Sequence, residues 1–160
     1  MMPSKTQGPQ WVGMVICLLC LSSLVFAQEV PAVVPAVLKG KIITSSKEID
    51  VPDKPKALPK KMAAQDQNNF VRDEEGKYVI YFVAFFSHPL PGESMGVVVL
   101  DDKKEAVALA DVSGTKGQTT LLSKIVVDSI ESRGKIHVLQ VYYASDKKPV
   151  VLAKKDIVLK

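Results

Sequence analysis

Two histidines and a few clustered carboxylates are almost all that this 160-residue chain offers to chemistry, since both of its cysteines, Cys17 and Cys20, fall in one apolar run near the N-terminus. His88 sits in the proline-rich HPLPGES, and His137 stands near the start of the apolar run KIHVLQVYY. A histidine metal centre or a nucleophile and base pair needs a second His, Cys or carboxylate brought to it, and nothing in the spacing supplies one. We therefore read one loop histidine and one strand histidine, and expect no metal and no cofactor. Ser113, Gly114 and Thr115 do not make a G-x-S-x-G elbow, and Gly114 to Gly117 opens no helix, so hydrolase-elbow and phosphate-loop chemistry lose their sequence basis. Asp73-Glu74-Glu75 and Asp101-Asp102 could attract calcium, but they lack the alternating ligands of a calcium loop and read as solvated turns. A secreted hydrolase with a two-carboxylate site built from Glu93, Asp101 or Asp111 is the enzymatic reading left, as an alternative.

The elements that would carry these residues are strands. KYVIYFVAFFS, Lys77 to Ser87, holds nine consecutive apolar residues and half of the aromatics in the chain, between Gly76 and the prolines Pro89 and Pro91. Such a short, aromatic and β-branched run predicts a buried central strand. Further strands are expected over Met95–Leu100, Glu105–Ala110, Thr119–Asp128, Lys135–Tyr143 and Val150–Leu159, with DVSGTKGQ, Asp111 to Gln118, as a loop. Turn signals this close leave no room for βαβ units and predict an antiparallel sandwich. Alternation assigns faces: Leu121, Ile125 and Val127 point inward, Lys135, His137, Leu139, Val141 and Tyr143 share one side, and Ile136, Val138, Gln140 and Tyr142 the other.

The central strand has two apolar faces, Tyr78, Ile80, Phe82, Ala84 and Phe86 on one and Val79, Tyr81, Val83 and Phe85 on the other. A sandwich normally buries one face of each strand. Either the proline-rich segment folds back over the second face, or Tyr81 and Phe85 form a partner surface. That segment, residues 30–61, contains five of the ten prolines, so VPAVVPAV and VPDKPKALPKK are expected to be extended, not helical. Leu38–Thr44, or Glu48–Val51, would supply an edge strand, and Lys61–Phe70 a loop.

Trp11 to Phe26 is uncharged, follows Lys5 and ends in Val25-Phe26-Ala27, which reads as a signal peptide cleaved after Ala27, with a retained anchor as the alternative. The expected organisation is a signal peptide over 1–27, an extended segment over 28–76 and a sandwich over 77–160. Removing Lys5 leaves 20 basic against 17 acidic side chains, with lysine pairs at Lys60-Lys61, Lys103-Lys104, Lys147-Lys148 and Lys154-Lys155. Isolated pairs suit edges and turns better than a nucleic-acid footprint, so no nucleic-acid partner is expected.

From Thr119 to Tyr143, an alternating strand, a short connection ending in Gly134 and a second apolar strand resemble the E-to-F region of immunoglobulin-like and fibronectin type III-like sandwiches. Ile136 and His137 stand where those families often place a corner tyrosine, so that feature does not carry over. The region from Lys77 to Lys160 also resembles small exported β-sandwich proteins of Gram-negative gliding bacteria. These resemblances imply an all-β fold, a single antiparallel immunoglobulin-like β-sandwich of about seven strands. The expected role is a non-catalytic binding or cell-envelope accessory module, periplasmic, cell-surface or extracellular. It would act by protein contact as a monomer or weak oligomer, with no membrane span in the mature chain. A structural subunit of a surface assembly is the alternative. Sequencing the N-terminus of the exported protein should give Gln28; a start at Met1 would mean that the apolar run is kept.

Overall fold

The computed structural model describes residues 33–128, 133–145 and 148–160. The expected signal peptide and its cysteines, Ile130 in the connection before Gly134, and Lys147 lie outside those residues. Eight strands form two antiparallel sheets with one parallel pair: β1 (Ile42–Ser45), β2 (Asn69–Phe70), β3 (Tyr78–Phe85), β4 (Ser94–Leu100), β5 (Ala106–Ser113), β6 (Thr120–Val127), β7 (Ile136–Tyr143) and β8 (Val150–Leu159). The smaller sheet runs β1-β3-β6 and the larger β2-β8-β7-β4-β5. The two sheets pack as a sandwich.

Between them lies the main core. Tyr78, Ile80, Phe82, Ala84 and Phe86 from β3 and its end meet Val97 and Val99 of β4, Leu139 and Val141 of β7, and Ile157 and Leu159 of β8. The face assignments made from alternation hold: Leu121, Ile125 and Val127 are buried while Lys124 and Asp128 are exposed, and His137, Leu139 and Val141 are buried on one side of β7. The Tyr78 hydroxyl donates to the Lys160 carbonyl at 2.7 Å and receives a bond from Arg72 Nε at 3.3 Å, so the polar tip of a fully buried ring is satisfied at the end of the sheet.

The second face of β3 is covered by the chain itself. Val83 and Phe85 pack in a separate cluster with Leu38, Ile43, Ile49, Leu58 and Met62. These come from a 3₁₀ turn (Ala36–Leu38), from β1, from the loop after it and from α1 (Leu58–Gln65). The helix corrects the expectation that VPDKPKALPKK stays extended and that Lys61–Phe70 is all loop. Pro59 stands in the first turn, where a missing N–H costs nothing because those donors have no intrahelical acceptor. Leu58 and Met62, one turn apart, then both face the β3 cluster.

Asp66, just past α1, joins the layers. Its carboxylate accepts from the Thr44 amide of β1 at 3.0 Å and pairs with the Lys155 ammonium of β8, while the buried Thr44 hydroxyl donates to the Gln67 carbonyl. Residues 33–76 are thus folded, not an extended arm: β1 edges the smaller sheet, β2 edges the larger, and the 3₁₀ turn, the loop after β1 and α1 form a third layer over β3. β5 also runs further than expected, to Ser113, because Val112 pairs with Met95 and enters the main core.

If both faces of β3 are structural, Phe82→Ala and Phe85→Ala should each cost about 3–5 kcal/mol in urea unfolding. A cost below about 1 kcal/mol for Phe85→Ala alone would show that the third layer is not packed in solution.

Candidate functional site

The residues singled out for chemistry end up in turns. Asp73 and Asp101 build two turns with the same hydrogen bonds. Asp73 Oδ1 accepts from the amides of Glu75 (3.0 Å) and Lys77 (2.8 Å), and Asp101 Oδ1 accepts from those of Lys103 (2.9 Å) and Glu105 (2.8 Å). The backbone bonds match as well, Asp73 N–H to Lys77 and Gly76 N–H to Asp73, against Asp101 N–H to Glu105 and Lys104 N–H to Asp101. The fourth residue takes a positive φ in both, +81° at Gly76 and +68° at Lys104. Each aspartate therefore spends an oxygen on organising its own loop. Asp102 pairs with Lys135 at 2.6 Å, whose hydrogen bond holds the Asp102 carboxyl below its ordinary value. The pair is present at neutral pH and is lost only as the pH falls through that lowered value.

Asp111 lies opposite Gly96 near one end of β4, and Asp101 follows the other end, so about 16 Å of strand separates them, beyond the roughly 5–9.5 Å of a glycosidase carboxylate pair. Glu93, whose carbonyl accepts from Gly114 at 2.7 Å, is at the Asp111 end. Ser87 Oγ and His88 Nδ1 are 2.9 Å apart, but they are chain neighbours and both are exposed. His137 is buried on the core side of β7, its Nδ1 3.1 Å from the Lys135 carbonyl. Among the described residues, no three His, Cys, Asp or Glu side chains gather as metal ligands, and no helix is long and apolar enough to cross a membrane.

The expected contact pair is also placed differently. Phe85 has no exposed surface, because α1 and the loop before it cover it; Tyr81 is half-buried at the margin, with Lys124 Nζ 5.9 Å from its ring centroid. Exposed apolar side chains occur at several places, Val33, Val37, Val71 and Val126 among them, but three, Leu109, Ile136 and Val151, share the outer face of the larger sheet on the opposite side of the molecule. Leu109 of β5 is 61% exposed and Ile136 of β7 59%, with Val151 of β8 beside Tyr142. Val98 and Leu100 of β4 connect these positions by register, Val98 to Leu109 on one side and Leu100 to Val138 on the other.

The Tyr142 ring lies flat over Gly96, where an added Cβ would come within 2.2 Å of it, so the glycine lets the aromatic settle onto the sheet. Asp111, Lys154 and Asp156 edge this apolar band. An apolar area rimmed by polar groups is the form of a contact surface. The sequence signal for it is the other half of the alternation, Ile136, Val138 and Tyr142 with Gln140 among them, opposite the core residues of β7.

No family model matches this chain, and no curated protein matches it.

In the Asp101 turn, Lys104 sits in a conformation that glycine adopts without strain. Lys104→Gly should raise stability by about 1 kcal/mol and Asp101→Ala lower it by about 1 kcal/mol in thermal unfolding, with no shift on adding calcium to either. A calcium-dependent rise in melting temperature that Asp101→Ala removes would restore the metal reading.

Proposed function

We propose that this chain is a non-catalytic interaction domain of the cell envelope, which meets a protein partner through the outer face of the five-stranded sheet. The observation that carries the reading is the exposed band centred on Leu109 and Ile136. Export is supported by the apolar run ending in Val25-Phe26-Ala27.

An immunoglobulin-like or fibronectin-like assignment is supported by strand order. Leaving out β2, β1-β3-β6 corresponds to A-B-E, and β8-β7-β4-β5 to G-F-C-C′. This correspondence makes β6 and β7 the E and F strands. β2, parallel to β8, is an addition along the G edge.

A second reading, a subunit of a surface assembly, is favoured by β5. It ends the larger sheet, is eight residues long, and contains no proline, lysine or arginine. Long edges without such residues invite another strand.

A photo-crosslinker at position 109 should capture a discrete partner in envelope extracts, while the same group at position 47 should not. Leu109→Arg with Ile136→Glu should abolish capture and change folding stability by less than about 1 kcal/mol, as exposed substitutions do. Equal capture from both positions would refute the surface. Concentration-dependent light scattering of the purified chain, removed by Leu109→Arg, would select self-assembly over a foreign partner.

A further inference from the structure

Charge is distributed very unevenly between the layers. Residues 33–61, which supply most of the layer covering the second face of β3, contain seven lysines against Glu48, Asp50 and Asp53, whereas residues 62–160 hold thirteen basic and thirteen acidic side chains. Most of the net positive charge of the described fold therefore belongs to this stretch. All seven lysines, from Lys39 to Lys61, are exposed, and Lys61 pairs with Asp50 at 3.2 Å. Lys41 also forms a parallel bridge with Lys154 of β8, setting two exposed lysines side by side, an arrangement that costs stability where no anion faces it.

Two further observations bear on the kind of anionic surface that would suit these lysines. Six residues separate the apolar run ending at Phe26 from Val33, a reach of at most about 25 Å, so where the run is kept as an anchor, the alternative to cleavage after Ala27, the layer starts close to the bilayer that holds it. Where the chain enters the layer, Val33 and Val37 are 66% and 57% exposed. Residues 33–61 contain no aromatic side chain, so the stacking surface that single-stranded nucleic acid would use is missing from the layer.

We propose that the lysine-rich third layer is a membrane-facing surface that docks on anionic phospholipid headgroups. It lies across the sandwich from the outer face of the larger sheet. The attraction is additive and screened by salt: each lysine near an anionic leaflet is worth about fivefold in partitioning.

The test uses the full-length chain mixed with vesicles of phosphatidylcholine alone or of phosphatidylcholine with phosphatidylglycerol, and maps amine acylation by mass spectrometry. On the anionic vesicles, Lys39, Lys47, Lys54, Lys56 and Lys60 should lose reactivity severalfold relative to Lys103, Lys104 and Lys116, and salt at about 0.5 M should restore it. Neutral vesicles should give no such difference, and the triple variant Lys54→Glu, Lys56→Glu, Lys60→Glu should remove it at Lys39 and Lys47, with unfolding transitions unchanged. Equal reactivity on both kinds of vesicle overturns the proposal, as does protection that persists at high salt. Protection by a duplex oligonucleotide but not by anionic vesicles also overturns it, in favour of nucleic acid. Because the contact at position 109 is read separately, either proposal can fail without the other.

Discussion

The structure depends on a strand that must be buried on both faces. Tyr78, Ile80, Phe82 and Phe86 are matched by the larger sheet, but Val83 and Phe85 point away from it and would meet water in a two-layer sandwich. Each such side chain forgoes about 1.5–3 kcal/mol if left exposed, which is large against the 5–15 kcal/mol that holds a domain together. The third layer answers this demand. Leu38, Ile49, Leu58 and Met62 have little other apolar surface to pack on, so cover and covered strand are stabilised by the same contacts. Asp66 fixes the layer at its seam, tying β1 to β8 through one carboxylate, and the half-buried Lys155 gives that carboxylate a partner less screened than a surface pair would be.

Much of the sandwich could be read from period-two alternation. In β3, β6 and β7 the sorting of residues into inner and outer faces agrees with the observed burial, because a strand flanked by core has no freedom to slip by one residue. What alternation could not reach was set by other forces. Proline was read as forbidding helix throughout VPDKPKALPKK, yet its effect depends on position, and at Pro59 the chain needed no donor. The end of β5 was misplaced because Asp111 looks like the start of a loop. Gly96 across the ladder leaves Asp111 on the open face, and Val112 still closes the core. The parallel pairing of β2 with β8 joins residues 89 apart in sequence and has no local signal at all.

The candidate site was the least legible part, and the reason is chemical. Acidic clusters were weighed as ligands or catalysts because carboxylates serve in both roles, but Asp73 and Asp101 are conformational devices: each accepts two amides of its own turn and makes room for one residue at positive φ. Sequence spacing already contained the clue, since each aspartate stands three residues before the residue that adopts the left-handed conformation. Tyr81 and Phe85 were weighed as an interface on hydrophobicity, which does not distinguish a side chain awaiting a partner from one already covered. Exposure makes that distinction, and it moves attention to Leu109 and Ile136.

The edges of the two sheets carry the argument one step further. β1 is four residues long, and its free side is closed by Asp66 and Gln67, which bond Thr44 and Ser46. β2 is only two residues, and β6 carries exposed Lys124 at its middle. Each of these edges has a feature that discourages a further strand. β5 is the longest of the outer edges without lysine or proline, its protection limited to exposed Asp111 and a register irregularity beside Leu100, and it borders the face where Leu109 and Ile136 meet water. That face lies across the sandwich from the residues that cover Phe85. Contact through β5 and docking through the third layer would then be compatible in one molecule, because neither surface has to be vacated for the other to be used.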